Sequence, residues 1–195
     1  MVVKDRSRVD DYWTGLAIKE GYPARSVYKL KEMDESRRLI KAGARILDLG
    51  CSPGSWSLYA CRRGARAAGV DLEPPRANMP AGFRFFLWDV YQSPPPELRE
   101  LSPFPLVLSD LAPKTTGRKD QDSDRSLDLA GAALSWAESL LASGGNFLFK
   151  VFQGGGLESF VREKVGPLFR KTEYHRPKAV RKRSPELYVL CLGFR

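Results

Sequence analysis

The chain has 195 residues, of which 43% are hydrophobic, and its formal net charge is +9. This length and composition predict one folded domain with a sizeable core and argue against general disorder. No apolar run reaches the length of a membrane span, and the first residues lack the apolar core of a secretion signal, so a cytoplasmic protein is expected. Three cysteines without C-x-x-C spacing and a single histidine argue against a structural metal site and indicate reduced thiols.

Hydrophobic patterning predicts an alternation of helices and strands along most of the chain. Residues 1–24 are polar and mixed, and they are taken as an N-terminal extension before a single domain over 25–195. The first predicted helix covers 26–37, with Ser26 as a possible N-cap. Further helices are predicted at 55–63, 126–142 and 157–168. Strands are predicted at 45–49, 67–71, 83–87, 106–110, 146–151, 171–174 and 187–192.

The segments between these elements predict how the chain connects. The Pro-rich piece 94–105 is typical of a loop, and the polar residues 113–125 predict a mobile loop. Gly144 and Gly145 are expected to end the helix before them. Residues 175–185 have no helical pattern, which predicts that the last strand returns antiparallel to its predecessor. The whole pattern predicts an α/β fold with a doubly wound sheet.

The first predicted strand contains Asp48 near its end and is followed by Gly50 and Gly54, and Asp71 ends the next strand. A strand, a glycine turn and a helix start are typical of sites for nucleoside-containing cofactors, and an acid at the second strand can accept hydrogen bonds from a ribose. The third glycine of G-x-G-x-x-G is absent, as is a phosphate-binding loop. S-adenosylmethionine, with a sulfonium and no phosphate, fits this pattern best, although two glycines alone could simply form a turn.

Charged residues at the predicted carboxyl edge of the sheet form a second pattern. Asp110 ends the fourth strand, Lys150 lies near the end of the fifth, and Glu186 begins the last. Lys29 lies on the first predicted helix, which could pack over the same edge. Taken singly, Lys29 and Glu186 could be solvated surface residues. A lysine in a central strand is costly without a partner, so an acid such as Asp110 must be close.

The positive charge is concentrated in two segments, 114–119 and 170–183. Basic surfaces attract phosphate backbones, so RNA is the predicted partner, although a general charge excess for solubility is the alternative. Tyr22, Tyr28 and Phe152 are candidates for stacking on bases, although aromatic residues are more often part of the core.

These motifs resemble, in order along the chain, those of the FtsJ (RrmJ) family of S-adenosylmethionine-dependent RNA ribose 2′-O-methyltransferases. The segments that carry the resemblance are R-S-V-Y-K-L, D-L-G-C-S-P-G-S-W, S-D-L-A-P, K-V-F-Q-G and S-P-E-L-Y. The resemblance implies a Rossmann-like class I methyltransferase fold with seven mostly parallel strands, an antiparallel last strand and helices on both faces. It implies a catalytic tetrad of Lys29, Asp110, Lys150 and Glu186. It also implies a cofactor site lined by Gly50, Gly54, Trp56, Asp71, Asp89 and Asp110.

The chain departs from the family pattern at three positions. Ser55, directly after Gly54, stands where the family commonly has another glycine. Lys114 stands where an asparagine often follows the D-x-A-P motif, and Pro185 stands where an arginine often precedes the glutamate that corresponds to Glu186. Ser55 should be tolerated because it is small. Lys114 adds charge near the substrate, and Pro185 could alter the approach to the last strand.

The resemblance implies methylation of a uridine in 23S rRNA of the large ribosomal subunit by a monomer without a metal. Other members of the family act on tRNA or other RNAs, so the substrate stays open at this stage. The tetrad argues against a non-catalytic RNA-binding protein, and the missing third glycine against a nicotinamide-dependent oxidoreductase. Lys150 either deprotonates the ribose 2′-hydroxyl or, staying charged, orients its oxygen.

Overall fold

The protein is built around one seven-stranded sheet. The computed structural model describes residues 7–195, and side-chain environments from residue 12 onward. The strands are β1 (Arg45–Leu49), β2 (Arg66–Asp71), β3 (Phe83–Leu87), β4 (Phe104–Ser109), β5 (Leu141–Phe152), β6 (Phe169–His175) and β7 (Glu186–Phe194). Their spatial order is β3-β2-β1-β4-β5-β7-β6. Strands β1 to β5 are parallel, and β7 lies antiparallel between β5 and β6. The predicted doubly wound α/β fold is thereby confirmed.

Helices cover both faces of this sheet. They are α1 (Ser7–Lys19), α2 (Val27–Arg37), α3 (Ser55–Arg62), α4 (Pro96–Arg99), α5 (Lys119–Leu140) and α6 (Leu157–Phe160), and a π-helical turn and a 3₁₀ turn prolong α6 to Leu168. Alternate strand residues point to opposite faces. In β1, Leu47 and Leu49 join the core beneath α5 and α6, whereas Ile46 joins the core beneath α1, α2 and α3. Within residues 7–195, no helix has the length and apolar character needed to cross a membrane.

The first helix falls in a segment whose sequence is polar and mixed. Ala17 of α1 is 1% exposed, and Trp13 and Leu16 pack against the same core as α2 and α3. Three apolar contacts among many polar residues give too weak a pattern to predict this helix. The first six residues of the predicted extension lie outside the described residues.

Helix α5 begins at Lys119, seven residues before the predicted start, so part of the loop predicted over 113–125 is helical. Asp122, in the first turn of α5, accepts hydrogen bonds from the backbone N–H groups of Thr116 and Gly117 at 2.7 and 3.1 Å. Polar bonds therefore stabilise this helix start, and hydrophobic patterning does not detect them.

The end of α5 also differs from the prediction. The helix stops at Leu140, and Leu141 already pairs with Phe104 of β4. The register then shifts, so that Gly144 and Gly145 lie in an irregular part of β5 instead of capping the helix. Gly144 has φ +75°, a conformation that glycine adopts without strain.

Asp34 connects α2 to the rest of the fold and is 1% exposed. Its carboxylate accepts hydrogen bonds from the Ile40 N–H at 2.8 Å and the Tyr59 hydroxyl at 2.9 Å. Replacing Asp34 with Ala leaves both buried donors without a partner, so the free energy of unfolding should fall by about 3 kcal/mol. Urea unfolding measures the loss. Glu35→Ala, at an exposed neighbour, is the control, and equal stability of the two variants would contradict the prediction.

Candidate active site

The four charged residues predicted to converge do meet, as two ion pairs at the carboxyl edge of the parallel strands. Lys150 Nζ lies 3.0 Å from Asp110 Oδ1 and donates a hydrogen bond to the Asp110 carbonyl at 2.6 Å. Lys29 Nζ lies 2.6 Å from Glu186 Oε2. Lys29 is 7% exposed and Lys150 is 6% exposed. Each lysine therefore has a carboxylate partner in a largely buried position.

The fold explains why these four positions meet. Asp110 directly follows β4, and Lys150 lies two residues from the end of the neighbouring strand β5. Glu186 begins β7 opposite Phe152, because β7 runs antiparallel to β5. Helix α2 then brings Lys29 over this corner. The parallel strands and the reversed strand β7 therefore place a strand end and a strand start at one edge.

Tyr188 connects the two ion pairs, and sequence reasoning gave it no role. Its hydroxyl donates a hydrogen bond to Asp110 Oδ1 at 2.8 Å, and Lys29 Nζ lies 5.8 Å from the centre of its ring. It pairs with Lys150 in the β5–β7 register. One feature of the sequence does indicate a place at the site, because Tyr188 is two residues beyond Glu186 and so lies on the same face of the strand.

The electrostatics of Asp110 favour a carboxylate. Burial by itself would raise the pKa of Asp110, but the nearby ammonium groups of Lys150 and Lys29 oppose it. With the hydrogen bond from Tyr188 added, the pKa of Asp110 is lowered below its ordinary value. Asp110 is therefore ionised at neutral pH and provides a fixed negative charge beside Lys150.

A pocket of about 520 Å³ opens on one side of Asp110. Four of the six residues expected at the cofactor site line it, namely Gly50, Asp71, Asp89 and Asp110. Leu72 and Tyr91 add apolar surface at its rim and are 67% and 63% exposed. Its size is typical of pockets for small-molecule cofactors. Its charged lining consists of Arg76 and four acids, Asp71, Glu73, Asp89 and Asp110. Because the acids predominate, the pocket favours a cationic ligand with hydroxyl groups.

Gly50 allows the chain to pass close to the floor of this pocket. Its φ is +78°, and an added Cβ would lie 2.9 Å from a side-chain carbon of Leu111 and 3.1 Å from the Leu111 backbone nitrogen. Asp71 orders the same loop, since its carboxylate accepts hydrogen bonds from the N–H groups of Ser52 and Glu73 at 2.9 and 3.0 Å. The loop geometry expected from the sequence is therefore present.

The other expected residues of the cofactor site lie outside the residues that line the pocket. Gly54, at φ +111°, precedes α3 and packs against Pro75 and Met79. Trp56 is 2% exposed and donates its indole N–H to the Ser26 carbonyl at 2.8 Å. Trp56 thus joins the glycine loop to the start of α2, the helix of Lys29.

Asp48 is fully buried beneath the glycine loop instead of lining the pocket. The Ser57 hydroxyl donates a hydrogen bond to it at 2.6 Å. Burial raises the pKa of Asp48 to about 7, while the Ser57 bond acts in the opposite direction. Asp48 therefore supports the loop from below.

A second pocket, of about 490 Å³, is lined by the other ion pair of the tetrad, Lys29 and Glu186. Arg25, Arg181 and Arg183 also line it. The tetrad thus lies between an acidic pocket and a basic pocket. A larger hollow of about 840 Å³ between α5 and the segment after β3 contains none of the tetrad residues.

The expected stacking residues are mostly unavailable. Tyr28 is 5% exposed and Phe152 is 6% exposed, so both belong to the core, which is the more frequent alternative for such residues. Tyr22 is half-buried, and the guanidinium of Arg62 lies 4.4 Å from the centre of its ring.

Replacing Tyr188 with Phe removes its hydrogen bond to the Asp110 carboxylate and is expected to lower the kcat of a reaction at this site about 10-fold. The reason is that a hydrogen bond to a charged group contributes about 1.5 kcal/mol or more. Loss of this donor raises the pKa of Asp110, so the acidic limb of the pH–rate profile should move to higher pH. Steady-state kinetics across pH measure both effects. Tyr174→Phe, on the partly exposed edge strand, is the control, and an unchanged profile for Tyr188→Phe would contradict this role.

Comparisons with known proteins agree with this geometry. The sequence profile of the FtsJ-like methyltransferase family matches residues 22–194. The ribosomal RNA large subunit methyltransferase E of Desulforapulum autotrophicum is 43% identical over 94% of this chain and 92% of its own length. The protein of the same name from Archaeoglobus fulgidus is 42% identical over 99% of both chains. A solved structure from Plasmodium falciparum, described as a ribosomal RNA methyltransferase, aligns with a TM-score of 0.75 and 24% identity over 89% of this chain and 98% of that one.

The doubly wound sheet and the acidic pocket at its carboxyl edge, with these matches, define the protein as a methyltransferase of the Rossmann-like α/β class. More particularly, the chain belongs to the FtsJ-like methyltransferase family.

Proposed function

We propose that the protein transfers a methyl group from S-adenosylmethionine to a ribose 2′-oxygen of ribosomal RNA. The observation that carries this proposal is the position of the tetrad between the acidic and the basic pocket. Asp110 lines the first pocket, and Lys29 and Glu186 line the second. Lys150 and Tyr188 both contact Asp110 of the first pocket, and the Tyr188 ring lies 5.8 Å from the Lys29 ammonium of the second.

The acidic pocket fits the proposed cofactor. Asp71 and Asp89 line it and would accept hydrogen bonds from ribose hydroxyls or an amino group, and Gly50 lines the same pocket. When bound, the cofactor supplies an electrophilic methyl group on a positively charged sulfur. The acids that line the pocket complement that charge, whereas a ligand rich in phosphates would be repelled.

The basic pocket fits the proposed substrate. Arginine guanidinium groups pair well with phosphate oxygens, and Arg183 is exposed beside Lys29 and Glu186. RNA bound there by its backbone would present a ribose to the tetrad. The names of the relatives favour ribosomal RNA of the large subunit as that RNA. Our proposal is narrower, namely 23S rRNA in the cytoplasm.

The tetrad residues have distinct roles in this proposal. Lys150 has three donor positions, and its two short contacts with Asp110 leave one direction for the ribose oxygen. Lys150 would orient that oxygen toward the methyl group that bound S-adenosylmethionine would supply, and the sulfur would keep the electron pair of the bond that breaks. If Lys150 stays charged, the hydroxyl proton leaves to water; if Lys150 has first released its own proton, its amine takes the hydroxyl proton. Glu186 fixes Lys29, which contacts the ribose, and correct alignment can lower a barrier by about 7–11 kcal/mol.

Methyl transfer from labelled S-adenosylmethionine tests the proposal. The substrates are large ribosomal subunits, naked 23S rRNA and tRNA, each from cells that lack the modification. We expect label on one nucleotide of 23S rRNA, in a form that resists alkaline hydrolysis because the 2′-oxygen is methylated. Label on tRNA alone would overturn the ribosomal substrate, and label on a base would overturn ribose methylation. A cofactor that binds without any transfer would favour a non-catalytic RNA-binding role.

A further inference from the structure

One arginine organises the basic loop, here defined as residues 176–185, which joins β6 to β7. Arg176 Nη1 donates a hydrogen bond to the Glu186 carbonyl at 2.9 Å, and Nη2 donates one to the Ser184 carbonyl at 2.7 Å. The carbonyls of Arg181 and Lys182 lie at 3.5 Å from Nη2. A single guanidinium therefore holds carbonyls along the second half of the loop and at the first residue of β7.

The strand register explains why a side chain is needed here. His175 pairs with Tyr188 in the antiparallel ladder of β6 and β7. Two residues further along this register, Pro177 would lie opposite Glu186. Proline has no N–H group, so the backbone cannot continue the ladder at that point. Arg176 supplies the missing donor to the Glu186 carbonyl.

Other contacts fix the remainder of the loop. Ala179 and Val180 are buried in the same core as α2, and the N–H of Lys178 donates a hydrogen bond to Glu32 Oε2 at 2.9 Å. On the other side of the segment, the N–H of Gln153 donates a hydrogen bond to the Pro185 carbonyl at 2.8 Å. Ladder-like bonds thus hold the start of β7 from both sides, and Arg176 provides the bond on the open side.

We propose that Arg176 is a positioning residue for methyl transfer, because it sets the backbone from which the Glu186 carboxylate reaches Lys29. Its donors are directed at backbone carbonyls, so it does not bind RNA phosphate. The part of Glu186 in this role rests on the proposed function. The fixing of the loop by Arg176 does not depend on it.

The first test is kinetic. Arg176→Ala is expected to lower kcat by about 10- to 100-fold, the effect of a small misplacement at a reacting centre, with little change in KM for RNA. Arg176→Lys should not restore kcat, because an ammonium group cannot span the separated carbonyls as a guanidinium does. Arg162→Ala is the matched control, since Arg162 is exposed and pairs with its neighbour Glu163. Full activity of Arg176→Ala or of Arg176→Lys would overturn the proposal.

A second measurement separates positioning through Glu186 from other effects. In a Glu186→Ala protein, the further change Arg176→Ala should lower kcat by less than twofold, because the carboxylate that it positions is already gone. A loss as large as in the wild-type background would overturn the proposal. The dependence of RNA affinity on salt should be unchanged in Arg176→Ala, and a slope of log affinity against log salt that is shallower by about 0.7 would show a direct phosphate contact and overturn the proposal as well.

A third measurement requires no activity. Limited trypsin digestion of the folded protein cuts after arginine or lysine, so it reports how firmly residues 181–183 are held. Arg176→Ala should be cut there at least 10-fold faster than the wild type, and Arg162→Ala at the wild-type rate. Equal rates for all three would overturn the holding role, whereas a wild type that methylates no RNA would overturn only the proposed function.

Discussion

Replacing Lys150 with alanine is expected to lower the rate of methyl transfer from bound cofactor to bound RNA by about 10³-fold. In the proposed function Lys150 meets the ribose oxygen, and proton-transfer or orienting groups of this kind contribute about 10²–10⁴-fold. Single-turnover kinetics with cofactor and RNA both saturating measure the chemical step apart from binding. A rate near that of the wild type would exclude Lys150 from the reaction.

The Lys150→Ala protein also loses the main partner of a carboxylate beside the site. The pKa of Asp110 should therefore rise, and thermal unfolding and cofactor binding must show that the fold and the acidic pocket survive. Lys164→Ala, at an exposed position on the turn after α6, is the control. Lys150→Arg separates the two roles of the lysine, since an arginine can orient the oxygen but cannot take its proton at neutral pH. Substantial activity of Lys150→Arg would favour orientation.

RNA affinity is expected to fall about 100-fold when the salt concentration rises from 50 to 200 mM, as five or so phosphate contacts on single-stranded RNA would require. The physical reason is the release of counterions by the exposed cations of the basic loop, whose like charges are closest together at residues 181–183. Fluorescence anisotropy with a labelled RNA fragment measures the dissociation constant at each salt concentration.

A matched pair of variants localises this effect. Arg183→Ala removes a cation from the lining of the basic pocket, so the slope of log affinity against log salt should become shallower by about 0.7. Lys164→Ala should leave the slope unchanged. An affinity that does not depend on salt would contradict the electrostatic footprint predicted from the net charge of +9.

Strand positions were predicted well because parallel strands with both faces covered are short apolar runs. The bounds of β1 and β3 agree with the prediction to the residue, and β2 begins one residue earlier. The larger errors are the helix α1, which was not predicted, and the boundary regions of α5, where polar hydrogen bonds of Asp122 and the irregular pairing of β5 decide the ends. Neither leaves a periodic hydrophobic signal.

The site was predicted in part. Its four charged residues were recognisable because each stands at the end or start of a strand or on the neighbouring helix. Tyr188 was missed because an aromatic residue in an apolar strand has the pattern of a core residue, and it is indeed fully buried. Arg176 was counted among the basic residues, and its bonds to backbone carbonyls became evident only from the folded loop.

The sequence by itself determined the alternation of strands and helices, the glycine turn at Gly50 and the presence of two lysines and two acids near the sheet edge. Local patterns are sufficient for these features, since they depend on neighbouring residues. The tertiary structure decided which charges pair, because Lys29 and Glu186 are separated by 157 positions and Lys150 and Asp110 by 40. The pairing of β4 with β5 brings Asp110 to Lys150, and the antiparallel strand β7 brings Glu186 to the same edge, where α2 places Lys29.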